Sequence, residues 1–245
     1  MLDFNSSTIA SARMSALIDT ALVRHHRAQE PRHYLGASQI GGPCERAVQY
    51  GYVNAPVDPD KETPGRILRI FHRGHVMEDC MAVWLLKTGF ELRTRAESGE
   101  QIGFSALDGR LKGHVDGVIV SGPAEYRYPA IWENKCLGNK AWKEVVAKGV
   151  ARAKPIYHAQ IVIYQAFLGL QENPAIFTAL NADTMEIYTE QIRFDARLAE
   201  QISERAQRII ETTERGEQLP RGFTDLTHVE CAQCSWQKRC WRPNP

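Results

Sequence analysis

Long apolar runs are missing from this 245-residue chain. The longest, Met81 to Leu86, is six residues, and a membrane-crossing helix needs about 20. Positive charge is missing from the first residues, where Asp3 stands, and no apolar stretch of the signal-peptide kind follows. A soluble, cytoplasmic protein is therefore expected, in the host cytoplasm if the gene is viral, with no membrane partner. Net charge is lacking too: 30 Lys+Arg against 29 Asp+Glu leave +1. That excludes a globally basic nucleic-acid binder, so any such activity needs a local basic surface. There is no internal repeat and no low-complexity tract. A composition of 43% hydrophobic and 24% charged residues rules out a mainly disordered or collagen-like chain. Six cysteines without an export signal read as thiols or metal ligands rather than as a disulfide framework.

What is present is an ordered succession of helical and strand patterns. Residues 5–28 read as an amphipathic helix with Ser6, Ser7 and Thr8 as caps and Ile9, Met14, Leu17, Ile18, Ala21 and Leu22 on one face. Ser38 to Pro43 reads as a helix entry, with a short helix continuing to about Tyr52. Residues 54–64 read as a loop, and a long helix runs from about Gly65 to Lys87. The period then changes to two. Phe90–Arg95, Glu100–Phe104, Leu111–Val120 and Ala130–Leu137 read as strands, with Asp108-Gly109 as a turn. Helices at 139–149 and 155–169, a hairpin of Ala175–Asn181 and Met185–Phe194, and a helix at 195–215 complete the series. The tail 216–245 is read as irregular. This order predicts one α/β domain with a mixed sheet and both chain ends packed on it.

Three groups of residues carry chemistry. In the first, Glu133 and Lys135 lie two apart on a strand and share a face, while Asn134 points away. If the strand 111–120 is the neighbour, Asp116 meets that pair. Two carboxylates suit Mg²⁺ or Mn²⁺, and a lysine beside them can orient water or face a phosphate. Of the nine lysines only Lys135 has an acidic residue two positions before it. Apolar neighbours such as Val115, Val118, Ile131 and Trp132 mark these strands as buried, where charges need a reason. In the second group, Gly74-x-x-x-Glu78 on the long helix offers a third carboxylate. Gln160 and Tyr164, at i and i+4, present a polar edge on an otherwise apolar helix.

The third group is Cys231-x2-Cys234-x5-Cys240, three thiols in ten residues. Cys80 and Cys136 read as core residues. Cys44, at an expected helix start where the dipole favours a thiolate, is the expected fourth ligand. Four cysteines suit Zn²⁺ or an iron–sulfur cluster. The wide separation of Cys44 and the last spacing of five favour the cluster. A basic stretch, Lys140, Lys143, Lys148, Arg152 and Lys154 against Glu144 alone, offers a phosphate-contact surface. Trp142 within it is weighed as a base-stacking residue and as a core residue.

With these motifs in this order, the sequence resembles the PD-(D/E)XK nuclease superfamily from about Ser38 to Cys240. Within it, the chain looks most like the RecB-type branch, including CRISPR-associated and phage exonucleases with a C-terminal cysteine cluster. The resemblance implies a restriction-endonuclease-like core: a central mixed β-sheet flanked by helices, with the chain ends tied by a metal cluster. It implies a single nuclease domain over residues 1–245. That domain would comprise a helical N-terminal segment, residues 1–63, holding Cys44, a catalytic core, residues 64–194, and a C-terminal helix and cysteine cluster, residues 195–245. Asp116 matches the first motif aspartate, Glu133 and Lys135 the (D/E)XK pair, and Gln160 and Tyr164 the Q-x3-Y motif. Cys44, Cys231, Cys234 and Cys240 match the ligands of a [4Fe–4S] cluster, with Zn²⁺ as the alternative. Glu78 stands where the RecB-type branch usually has histidine and where phage recombination exonucleases have glutamate. It would join Asp116, Glu133 and the Asn134 carbonyl around Mg²⁺ or Mn²⁺, with His75 beside it as a bystander. Val115 replaces the proline of the motif name.

The implied activity is metal-dependent hydrolysis of DNA phosphodiesters, as an exonuclease in recombination, repair, or phage or CRISPR DNA processing, with a recombination or CRISPR protein as partner. The alternative is a non-catalytic nucleic-acid-binding or assembly protein with a structural zinc or iron–sulfur site. Endonuclease action, or action on RNA, is a further variant of the same fold.

Overall fold

The computed structural model describes residues 7–242. The expected cap Ser6 and the start of the first expected helix lie outside them, as do the side chains of Ser7, Thr8 and Ile9. Helix α1 (Ser7–Arg27) leads to a two-residue strand β1 (Leu35–Gly36) and the short helices α2 (Ala37–Ile40) and α3 (Glu45–Tyr52). The long helix α4 (Gly65–Lys87) is followed by β2 (Glu91–Arg93), β3 (Gly103–Ala106), β4 (Leu111–His114), β5 (Gly117–Ser121) and β6 (Ala130–Leu137). Then come α5 (Asn139–Lys148), α6 (Val150–Ala153), α7 (Pro155–Phe167), β7 (Ala175–Asn181), β8 (Ile187–Ile192) and α8 (Ala196–Glu214). Two short tail helices, α9 (Val229–Gln233) and α10 (Gln237–Trp241), end the series.

The strands form two sheets rather than one. The larger has the order β2-β5-β6-β7-β8, with β6 and β7 parallel and the other pairs antiparallel. The smaller is β1-β4-β3. All seven residues of β7 are buried, as expected of a strand covered on both faces. On one face Met81 and Met77 of α4 pack against Trp132, Ile119, Ile176 and Leu180. On the other, Ile131, Phe177 and Ala179 meet Ile161 and Ile163 of α7 and Ile209 of α8. The result is a helix–sheet–helix sandwich with β6 at its centre.

The segment read as one strand, 111–120, is broken at Val115–Asp116. Leu111 to His114 pair with β3 in the small sheet, and Gly117 to Ile119 pair with β6 in the large one. The Val115 N–H still reaches the Ile102 carbonyl at 2.9 Å. Glycines flank the break because neighbours press on the backbone there. A Cβ on Gly113 would lie 2.5 Å from the Tyr164 ring, and one on Gly117 2.6 Å from Leu92. Asp116 therefore sits at the crossing between two sheets, where its backbone is outside both ladders.

Other expectations are corrected in detail. Pro43 precedes the helix: Cys44 is the N-cap of α3, which starts at Glu45. The apolar face of α1 is not buried, since Met14 and Leu17 are 60% and 61% exposed. The helix instead crosses α4 with Asp19 against Gly65 and paired to Arg69. Cys80 and Cys136 are only partly buried, and the tail is partly helical rather than irregular.

Candidate functional site

β6 delivers Glu133 and Lys135 to one face of the large sheet. Glu133 has no exposed surface. One of its oxygens accepts a hydrogen bond from the Lys135 ammonium, and the other, Oε2, is buried with no hydrogen-bond partner among the described residues. Asp116, at the strand break, accepts the Asn134 backbone N–H on Oδ2 at 2.7 Å. Glu78 comes from α4, close enough for its charge to be felt by Asp116 and Lys135. The structure thus brings together Glu78, Asp116, Glu133 and Lys135. The Asn134 side chain points to the opposite face, toward Thr178.

The electrostatics follow from crowding three carboxylates out of water. Burial raises the Glu78 pKa to about 7, with Asp116 adding repulsion. Burial also raises Asp116, against the pull of Lys135 and the Asn134 N–H. Glu133 is raised by burial and then by Asp116. Burial works against the Lys135 charge, but Glu133 and Asp116 outweigh it and hold the ammonium above its ordinary range. Several strongly shifted groups in one cluster are what acid–base and metal sites show. His75 is 80% exposed, and its ring nitrogen lies 4.0 Å from Glu78.

Gln160 and Tyr164 do face this region. The Gln160 amide donates to the Tyr164 hydroxyl at 2.9 Å. Burial raises the phenol pKa, and Glu133 raises it further. These two residues also line an adjoining cavity of about 190 Å³ together with Arg32, Gln101, Lys112 and His114, and none of its lining residues is acidic. Lys112 also lies over the Tyr34 ring, 5.4 Å from its centre. Arg32, Lys112 and His114 are not among the residues the motifs pick out. A signal for two of them exists: Lys112, His114 and Asp116 alternate at period two, which aligns them on one side of a strand.

The basic stretch is weaker than its composition. Glu144 pairs with Lys148 at 2.9 Å and Lys154 at 3.6 Å. Among the described residues Lys140, Lys143 and Arg152 have no such partner. Trp142 is a core residue: it is buried and its indole N–H donates to the Ala179 carbonyl at 3.1 Å.

Cys44, Cys231, Cys234 and Cys240 all line one cavity of about 280 Å³, together with Trp236 and Trp241. Arg46 donates to the Cys240 sulfur at 3.7 Å. Asp58, which no motif marks, binds the backbone N–H groups of Lys238 at 2.6 Å and Arg239 at 3.2 Å. Gln49 binds the Leu219 N–H and the Glu217 carbonyl. The tail is therefore fastened to the N-terminal region by hydrogen bonds as well. Among the described residues no group of three or more His, Cys, Asp or Glu side chains is closed up as a metal cage. The thiols line an open cavity, and Lys135 stands among the carboxylates.

No family model and no curated protein matches the chain. Among solved structures it is similar to an alkaline exonuclease, LHK-Exo, from Laribacter hongkongensis. The TM-score is 0.51 at 16% identity, over 76% of this chain and 90% of that one. It is also similar to the protein SSO0001, with a TM-score of 0.52 at 15% identity, over 94% of this chain and 96% of that one. At such identities the likeness establishes the fold, and the α/β core has the restriction-endonuclease-like architecture.

The raised Glu78 pKa has a consequence for stability. The folded chain holds this proton more tightly than the unfolded chain, whose glutamate titrates near its ordinary value of 4.5. The contribution is fully present below that value and is lost as pH rises through about 7. Denaturant midpoints of metal-free protein, taken from about pH 5 to about pH 8, should fall more steeply in the wild type than in Glu78→Gln. Parallel slopes would contradict the assignment.

Proposed function

We propose that the protein is a divalent-metal-dependent deoxyribonuclease that acts from strand ends. The observation that carries this reading is the buried Glu133 with an unpartnered oxygen, set beside Asp116, Glu78 and Lys135. A buried carboxylate oxygen without a donor is unfavourable, and a hard cation would satisfy it. Asp116, Glu133 and Glu78, with the Asn134 carbonyl, would hold Mg²⁺ or Mn²⁺. When bound, the ion supplies positive charge against the scissile phosphate and the leaving oxygen.

The chain's own groups do the rest. Lys135 is released from its role as counter-ion to Glu133 and directs its N–H groups to the attacking water. Tyr164, positioned by Gln160, offers its hydroxyl at the edge of the same site. Arg32, Lys112 and His114 form a cationic, carboxylate-free cavity next to it, which suits a strand's terminal phosphate and so favours exonuclease action. Lys140, Lys143 and Arg152 supply backbone contacts farther along the DNA. We place the reaction in recombination, repair, or phage or CRISPR DNA processing, in company with a partner protein of that pathway.

The decisive assay uses end-labelled linear DNA with and without terminal phosphates, and closed circles, with and without Mn²⁺. Linear phosphorylated DNA should be degraded with Mn²⁺, and circles should persist. Asp116→Ala, Glu133→Ala and Lys135→Ala should each lose about 10²-fold or more in rate, while Arg32→Ala should chiefly lose the preference for phosphorylated ends. Full cleavage by Glu133→Ala would overturn the site.

We further propose that Cys44, Cys231, Cys234 and Cys240 hold a [4Fe–4S] cluster, with Zn²⁺ as the rival occupant. Their common cavity and the Arg46 guanidinium beside Cys240 support thiolate ligation. Anaerobically purified protein should be brown, with about four irons per chain. Cys44→Ala should lose metal and thermal stability together, and Cys80→Ala and Cys136→Ala should keep both. Colourless protein with one zinc would replace the cluster, and full metal in Cys44→Ala would remove Cys44 from the set.

A further inference from the structure

Behind the carboxylates, on the α4 side of the sheet, lies a buried polar chain that no other feature of the fold requires. The Trp132 indole N–H donates to the Thr178 hydroxyl at 2.9 Å, and that hydroxyl donates to Asn134 Oδ1 at 2.8 Å. An indole nitrogen only donates and a hydroxyl has one proton, so the direction of the chain is fixed. Trp132, Thr178 and Asn134 are all buried. Thr178 and Asn134 are register partners across the parallel β6–β7 pair.

The far end of this chain is Asp116. Pairing of β5 with β6 stops at Gly117–Trp132, so the Asn134 N–H meets no β5 carbonyl. It donates instead to the Asp116 carboxylate, at 2.7 Å. The Asn134 side chain is thus held by β7 and its backbone N–H by Asp116. Asn134 Nδ2 remains buried without a partner among the described residues, so an amide at this position is not the cheapest way to fill the core. Only its oxygen is used, and it is used to hold the peptide that faces Asp116.

We infer that Thr178 is a positioning residue for the carboxylate site. Its hydroxyl fixes Asn134, and so sets the angle at which the Asn134 N–H is presented to Asp116. The catalytic consequence rests on the nuclease reading above, whereas the positioning itself does not.

The test compares Thr178→Val, which keeps the shape and removes the hydroxyl, with Thr178→Ser, which keeps the hydroxyl. Amide hydrogen exchange at Asn134 should quicken about tenfold in the valine variant, the size of one net hydrogen bond, and stay near wild type in the serine variant. The Mn²⁺ concentration for half-maximal cleavage should rise in the valine variant, with KM for DNA little changed, and serine should restore it. If valine fails to fold, Thr178→Ala makes the same comparison without adding apolar bulk. Wild-type Asn134 exchange in a folded variant lacking the hydroxyl would overturn the inference. Should the wild type cleave no DNA with Mn²⁺, the nuclease reading falls, and the exchange comparison still decides the role of Thr178.

Discussion

A carboxylate with no exposed surface sets the terms for this fold. Burying the Glu133 charge costs several kcal/mol unless it is paired, and among the described residues its partner is Lys135, two residues along the same strand. The pair can exist only because β6 is central, with β5 on one side and β7 on the other. The neighbouring strand then has to bring a second carboxylate without completing a normal ladder. The break at Val115–Asp116 does this: it hands the chain from the small sheet to the large one and frees Asp116 to bind the Asn134 N–H. Helix α4 closes the arrangement by adding Glu78, whose proton affinity rises because burial and Asp116 both act on it. Each of these charges shifts the others, so the four form one electrostatic unit rather than a surface ion pair.

The second organising constraint is the return of the tail. Residues 219–240 lie against α3 and the loop before α4 through Gln49, Arg46 and Asp58, which bind backbone groups of the tail, Arg46 also reaching the Cys240 sulfur. These bonds bring Cys44 and the C-terminal thiols to one cavity. A metal there would reinforce a junction already built, at a distance from the carboxylates. On the proposed reading, the cysteine centre would hold the chain ends and the reaction would belong to the sheet.

Much of this is legible in the sequence, for definite reasons. Strands such as Ala130–Leu137 and Ala175–Asn181, and the helix Gly65–Lys87, match their expected limits because the apolar pattern agrees with the proline that precedes each, Pro129, Pro174 and Pro64. The sharing of one face by Glu133 and Lys135 follows from strand geometry alone. The break in 111–120 is not legible, because the change from the alternating Lys112, His114 and Asp116 to Val118-Ile119-Val120 reads equally well as one strand entering the core; only contacts with Tyr164 and Leu92 reveal why Gly113 and Gly117 are there. The stripe on α1 looks like a core face, yet period alone does not say whether a partner exists. Arg32 is hidden because its cavity is assembled from loop residues, two strands and two helices. Thr178 reads in sequence as one more β-branched strand residue.

The central claim is that Glu78, Asp116 and Glu133 form a divalent-metal site whose protons leave when the ion enters. Calorimetric titration of the purified protein with Mn²⁺ near neutral pH, repeated in buffers of different ionisation enthalpy, measures both the binding and the protons released. With the Glu78 pKa at about 7 and Glu133 raised as well, the account predicts saturable binding with net proton release that diminishes toward alkaline pH. Absence of saturable binding, or binding without proton release, would contradict it.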